Sequence, residues 1–452
     1  MIRSIHELVA PEDVGTTLPH EHILHTIGSI ASSSGSRGNL EIRYQDLIEY
    51  RRAPFAHGGR NLLLQKEDEA FRELERLEQL NDKKSKVLIV DVTLPSEGRD
   101  VLIPERLHLV KRFQDVIFVT VTTFELNQMN EKFLYRGVSI QETSERIARR
   151  LEAELLFGME KGGVVVFPGA IYQQIHANSQ VLGPEEMILV QGLALAQART
   201  HCPLYLSISY NESCGMLHGT SSSLDQVVRA WICALLDAGA EGKKIVVCHV
   251  NRWCHGRFEE AGYAFLLELL DLSVTVLFDM IGLLAVSEVL LINPSFTQTG
   301  LSSDKLLVKD NQEPISDSRI VEWIVKLLEH KPEYLFQILL STNIHQRVQY
   351  RCYGGGGYAY LFEHFKYRCL REGVTATQWN QIVCANVVNL LAWYVPPEAP
   401  PIPKKYLQCS ICSNYFEPVE GEYFTKFAFT YCGTKCLRRH SRQKFAPTLA
   451  KS

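Results

Sequence analysis

No stretch of this 452-residue chain is apolar enough to span a membrane. The longest run, Gly282 to Ile292, falls well short of the ~20 residues required, and no basic-then-apolar leader opens the sequence. The expected setting is cytoplasmic or nuclear, with no membrane partner. Regular cysteine spacing is also missing from most of the chain. Eight of the twelve cysteines are scattered through residues 202–384, as reduced and mostly buried thiols of an intracellular protein would be. No G-x-G-x-x-G turn follows any apolar run, which argues against a dinucleotide-binding open sheet. The net charge of −4 is small but uneven: residues 404–452 hold nine Lys/Arg against three Asp/Glu, a net +6, which leaves −10 on residues 1–403.

What is present is a repeated pairing of a short apolar run with a helical segment. The runs are GTTLPH (15–20), KVLIVDVT (86–93), DVIFVTVTT (115–123), GGVVVFPG (162–169), PLYLSIS (203–209), KKIVVCHV (243–250), SVTVLFDMIG (273–282) and YLFQILLST (334–342). Amphipathic stretches such as residues 140–159 lie between them, with apolar residues at spacings of three and four. Fully apolar strands alternating with helices predict a parallel sheet buried on both faces, and eight units predict a (β/α)8 barrel. A helical insertion over 60–82 separates the first two strands, and its charged face is expected in solvent.

The helical pattern ends near Tyr394, where VPPEAPPIP places five prolines in nine residues, a stiff extended linker. The expected organisation is a barrel over 1–394, a linker over 395–405, a module over 406–445 and a tail over 446–452. In the module, Cys409 and Cys412 form C-x2-C, and Cys432 and Cys436 form C-x3-C. Each pair can present two thiolates to a tetrahedral Zn2+, and a module of this size has too little core to fold without such a staple. His440 is a substitute ligand or, more in keeping with its surroundings, a surface residue. The aromatic residues between the pairs and the basic KCLRRHSRQK segment suit a protein partner better than nucleic acid.

GTTLPHEHI, VDVTLPSEGRD (90–100), CPLYLSIS (202–209), VVCHVNR (246–252), YGGGGYAYLFEHF (353–365) and CANVVNLL (384–391) occur in the order seen in phosphotriesterases and phosphotriesterase-related proteins, and residues 1–395 resemble that family. The resemblance implies an amidohydrolase-type barrel with two divalent metals at the C-terminal ends of its strands. Such ions, ~3.5–4 Å apart, share a hydroxide and polarise a phosphoryl or carbonyl oxygen. The family's ligands are a histidine pair on strand one, a Lys or Glu on strand four, histidines on strands five and six, and an Asp on strand eight.

Transferred to this chain, that pattern keeps His20, His22 and His249 and loses the rest: Phe167 falls at the bridging position, Ser207 at the strand-five histidine and Asn343 at the strand-eight aspartate. Phenylalanine cannot bridge cations, serine is a poor ligand, and an asparagine amide is no general base. Asp279 on strand seven matches a family aspartate and, with His249, is a candidate catalytic residue. Arg99 and Asp100 read as a loop-ordering pair, and Gly354 to Gly357 as a tight loop after strand eight.

Two readings follow. In the first, the barrel is a pseudoenzyme with a degenerate metal centre, a binding or scaffold protein whose zinc module engages a partner and whose mouth can hold a small molecule. In the second, His20, His22 and His249 hold a single divalent ion in a hydrolase of esters, amides or lactones. For the histidine pair itself, the first expectation is hydrogen-bonded polar residues at the barrel mouth that hold no metal, ahead of a mononuclear site.

Overall fold

Alternation along each apolar run decides which side chains fill the barrel and which meet the helices. The computed structural model describes residues 1–27, 41–52, 58–82, 84–125, 139–161, 163–210, 222–254, 259–282, 316–396, 406–419, 421 and 423–445. Eight strands form one parallel sheet in chain order: β1 Val14–Glu21, β2 Lys86–Asp91, β3 Val116–Thr122, β4 Pro168–Ala177, β5 Leu204–Tyr210, β6 Ile245–Val247, β7 Thr275–Phe278 and β8 Ile338–Leu340. Inside, Leu88, Val90, Val119, Val121, Ala170, Tyr205, Val246, Leu277 and Leu339 pack together. Their sequence neighbours Val87, Ile89, Phe118, Ile171, Leu204, Ile245, Val276 and Ile338 join the outer layer under the helices.

One strand differs from the sequence expectation. Val164–Val166 is not part of the barrel but pairs antiparallel with Met159–Lys161 in a small hairpin, leaving Val164 and Val165 40% and 49% exposed. The fourth barrel strand begins at Pro168, immediately after it. A β-branched triplet reads as a core strand by composition, but only the two-faced burial of PGAIYQQIHA marks the real one. Phe167 therefore precedes the barrel strand, with the Arg3 guanidinium 4.7 Å from its ring centroid, and is not a mouth residue.

The helices dock by conventional means. In α1, Ile140–Phe157, Ser139 caps the N-terminus by accepting from the Glu142 N–H, and Ile147, Leu151 and Leu155 are buried. Gly192 in α2, Pro184–Thr200, lets Ile147 approach; a Cβ there would lie 2.8 Å from that side chain. The charged face of the insertion helix Glu67–Leu80 is not simply solvated. Glu69 receives two hydrogen bonds from Arg347, at 3.0 and 2.7 Å, and Glu73 accepts the Arg351 N–H at 2.8 Å, so the helix clamps the segment after β8.

The ladder does not close between β1 and β8, and one carboxylate does the joining. Glu21 Oε1 accepts from Ser341 Oγ (2.7 Å), Thr342 N–H (2.8 Å) and Thr342 Oγ1 (2.7 Å), and Oε2 accepts from the Ile344 N–H (2.8 Å). The His20 N–H donates to Ser341 Oγ and the His22 N–H to the Ile344 carbonyl. Burial raises the Glu21 pKa above its usual value, and the four donors oppose that shift.

Two compact units divide the chain, Met1–Tyr394 and Val395–Ser452. In the second, strands Leu407–Gln408 and Tyr415–Phe416 make a knuckle, Phe424–Lys426 and Phe429–Tyr431 a hairpin, and Thr434–Arg442 a helix. His440 is fully buried rather than on the surface. Its Nδ1 meets the Tyr431 hydroxyl at 3.0 Å and its ring packs edge-on against Phe429, because the helix turns this position toward the hairpin. Most of the proline-rich linker (397–405) and the tail (446–452) lie outside the described residues.

Glu21→Ala would orphan four buried donors at the seam. It is expected to cost about 3–5 kcal/mol in the urea unfolding free energy, and Glu21→Gln, which keeps one acceptor, clearly less.

Candidate functional site

The C-terminal ends of the strands bring polar side chains together over the apolar barrel interior. A cleft there is lined by His20, His22, Tyr172, His249, Asn343 and His345, together with Ile27, Leu62, Glu97 and Gln174, and among the described residues it has room for about one water molecule, roughly 10 Å3. His20 and His22 share one face of β1. From β4 it is Tyr172 and Gln174, not Phe167, that reach the cleft, the Tyr172 ring 5.5 Å from that of His20.

Asp279 organises the centre. Its Oδ1 receives His249 Nδ1–H at 3.0 Å, and Oδ2 receives the His249 backbone N–H at 3.1 Å. His249 reaches both oxygens because its backbone is left-handed, φ +60°. A carboxylate only accepts, so the proton sits on Nδ1 and leaves Nε2 as an acceptor for Ser207 Oγ–H at 2.9 Å. The nearby histidine keeps Asp279 ionised despite its burial and holds its carboxyl far below the usual range. The Asp279 N–H donates in turn to Asn251 Oδ1.

His20 is different. Its Nδ1 lies 2.9 Å from Asp279 Oδ2, but neither ring nitrogen is in line for a hydrogen bond, although the side chain is fully buried. Together with Cys248 and Asp279 it forms a cluster whose ligand atoms all lie within 4.8 Å of one another.

His22 is set by a relay that the sequence reasoning missed. Arg106 Nε donates to Asp91 Oδ2 at 2.5 Å, Thr93 Oγ1–H to Asp91 Oδ1 at 2.5 Å, and the Thr93 oxygen can then only receive His22 Nδ1–H, at 3.2 Å. His22 Nε2 is left unprotonated. The VDVTLP stretch carried a signal for this, an aspartate two residues before a threonine at a strand end. His345 and His25 are neutral as well, because burial lowers their pKa values to about 4 and about 3. Each uses its rings on backbone groups: His345 Nδ1 on the Asn343 carbonyl, and His25 Nε2 on the His345 carbonyl.

Glu97 was also unforeseen. It lies 3.7 Å from His22 Nδ1, and burial raises its pKa to about 7 against the Leu94 N–H that favours its ionised form. Arg99 and Asp100 form a loop pair at 2.8 Å, with Arg99 also bonded to the Val121 carbonyl. The Gly354–Gly357 loop is tight: a Cβ at Gly355 would collide with the Gln349 backbone.

The donor set tests the metals that the fold implies. The cleft positions of β4, β5 and the segment after β8 present a phenol, a hydroxyl and an amide, and both nitrogens of His249 are committed. Two divalent ions do not fit this set. A single ion finds, among the described residues, the His20, Cys248 and Asp279 cluster, with the free Nε2 of His22 in the same cleft.

In the C-terminal unit, Cys409, Cys412, Cys432 and Cys436 place their sulfurs within 4.8 Å of one another. Neighbouring pairs are 3.6 and 3.7 Å apart, close to the ~3.8 Å edge of a tetrahedron with 2.3 Å metal–sulfur bonds. Burial opposes ionisation of Cys409, but the N–H groups of Cys412, Cys432 and Ile411 outweigh it and bring the thiol down to about 6.

Barrel, cleft and knuckle together define a metal-dependent-hydrolase-type barrel followed by a treble clef. A family model described as the phosphotriesterase family matches residues 2–391, and one described as a Vms1-associating treble clef domain matches 404–448. The chain belongs to the phosphotriesterase family, with a treble clef domain at its C-terminal end. It is similar to a phosphotriesterase-related protein of Nematostella vectensis, 26% identical over 396 residues, with 85% of this chain and 97% of the relative covered. It is also similar to an N-acetyltaurine hydrolase of Rattus norvegicus, 25% identical with 84% and 94% covered. A solved resiniferatoxin-binding protein from Rhodobacter sphaeroides shares the fold, with a TM-score of 0.62 at 21% identity over 86% of this chain and 94% of that one. No helix among the described residues is long and apolar enough to cross a membrane.

The folded pKa of Glu97 lies above its ordinary 4.5, so its protonated form contributes stability that is complete below about pH 4.5 and lost as pH rises through about 7. Glu97→Gln cannot ionise and should lose less stability than the parent between about pH 5 and pH 8, read from urea midpoints.

Proposed function

We propose that this is an intracellular phosphotriesterase-related protein that has given up binuclear metal hydrolysis, keeps its barrel mouth as a small-molecule pocket, and engages a protein partner through its C-terminal module. The chemistry of the side chains supports the first part: β4 turns Tyr172 and Gln174 into the mouth, β5 carries Ser207 and the segment after β8 carries Asn343, so these four side chains offer a metal pair no carboxylate and no imidazole. His22, His25 and His345 are buried and neutral, and they hydrogen-bond within the protein rather than surround two cations.

The treble clef holds structural zinc in this reading, on Cys409, Cys412, Cys432 and Cys436. The name of its domain family points to association with another protein. The exposed Phe427, 78% accessible, and Tyr415, 48% accessible, supply an apolar contact, and the Thr434–Arg442 helix supplies positive charge beside it. Nucleic acid is the weaker candidate, because nine basic residues spread over this segment make a modest footprint.

A second reading, a hydrolase with one divalent ion on His20, His22 and His249, is favoured by the two unpartnered nitrogens of His20. An N-acyl amide, the bond cleaved by the N-acetyltaurine hydrolases among its relatives, would be a suitable substrate. Elemental analysis separates the two. The full-length protein should contain one zinc per chain, and a full-length Cys409→Ser/Cys436→Ser variant should contain none. Stoichiometric zinc retained by that variant would establish the barrel ion and overturn the first reading.

Restoration gives an independent check. Tyr172→Glu, Ser207→His and Asn343→Asp together should raise the metal content to three per chain. No gain in a folded variant would show that these three positions do not form the metal cradle.

A further inference from the structure

Ser207, His249 and Asp279 form a continuous line of hydrogen bonds from a hydroxyl to an imidazole to a carboxylate. Ser207 Oγ–H donates to His249 Nε2 at 2.9 Å, and His249 Nδ1–H donates to Asp279 Oδ1 at 3.0 Å. Each tautomer is forced by the acceptor-only carboxylate at the end of the line. Asp279 is fully buried and also holds the His249 backbone, so the imidazole is fixed in two ways. The three residues come from β5 and from the ends of β6 and β7, three adjacent strands, which is why no local motif announces them. The sequence treated Ser207 only as a lost metal ligand.

We infer that Ser207, His249 and Asp279 act as a metal-free nucleophile, general base and orienting carboxylate toward a carboxylic ester or N-acyl amide that sits over the barrel mouth and inserts its carbonyl into the one-water cleft. The inference rests on the absence of a binuclear centre proposed above, and goes beyond it by assigning the pocket a reaction. The geometry supplies a nucleophile–base hydrogen bond and a base held by a third group; His249 lines the cleft, and Ser207, 6% exposed, lies one hydrogen bond behind it.

In the first step Ser207 Oγ bonds to the carbonyl carbon as its proton passes to His249 Nε2. The bond to the leaving alcohol or amine then breaks, and His249 returns that proton to the leaving oxygen or nitrogen. Water attacks the acyl-serine by the same route, giving up one proton to His249, which restores the Ser207 hydroxyl as the acid departs. The net reaction consumes one water and needs no other reactant. The Asn343 amide and the Tyr172 hydroxyl line the same cleft and are the groups that can face the developing oxyanion.

A fluorophosphonate probe tests this on the full-length protein, with zinc measured on the same sample. The expected result is one zinc per chain and one phosphonate adduct, located at Ser207 by peptide mass spectrometry. Ser207→Ala should abolish the adduct, and His249→Asn should slow its formation at least 100-fold. Ser207→Cys should still take up an alkylating probe at that position, which separates loss of the nucleophile from loss of the fold. One zinc with no adduct, or an adduct on another residue, overturns the inference and leaves the metal-free reading in place. Zinc in the barrel overturns both, because a metal site that turns over the probe would release the phosphonate and leave no adduct.

Discussion

The barrel depends on a carboxylate that has no cation. Seven of its eight strand junctions are parallel ladders, and the eighth is Glu21, whose two oxygens gather two hydroxyls and two backbone N–H groups from Ser341 to Ile344. Spreading one charge over four donors makes its burial tolerable. The same contact fixes where β1 ends and where the segment after β8 begins, and so sets the distance across the mouth. His20 and His22 flank Glu21 in sequence and point the other way, into the cleft. The closure and the site are thus consequences of one strand's alternation.

Over that seam, the polar centre is arranged around neutrality. A pair of divalent ions would supply four positive charges and require carboxylates to offset them. Here Asp279 is balanced by hydrogen bonds from His249, Asp91 is paired with Arg106, and His22, His25 and His345 are kept uncharged by burial. An uncompensated carboxylate or a charged imidazole in this dry cleft would cost several kcal/mol. Serine at 207 and tyrosine at 172 are neutral groups that can still hydrogen-bond.

The eight-strand alternation was legible because each strand is buried on both faces and carries an unbroken apolar run. The exception is instructive. Val164–Val166 has the composition of a core strand and the position of a hairpin, whereas Pro168–Ala177 carries two glutamines and a histidine, which composition reads as loop. The consequence at the site is that Phe167 lies before the strand, and Tyr172 and Gln174 face the mouth instead. The cysteine knuckles were legible because their partners are local in sequence. The Ser207–His249–Asp279 line and the Arg106–Asp91–Thr93–His22 relay were not, since each joins residues from different strands or helices through side-chain geometry alone.

Asn343 sits with φ +48°, in the left-handed region, between the two backbone N–H groups that Glu21 holds. Few residues rest there without strain, and aspartate and asparagine are among them. The exchange between those two is therefore the one change at this position that removes a negative charge from the mouth while leaving the clamped backbone undisturbed. The seam thus separates shape from charge at this position: it fixes the backbone from both sides and leaves the charge carried into the mouth to the side chain alone.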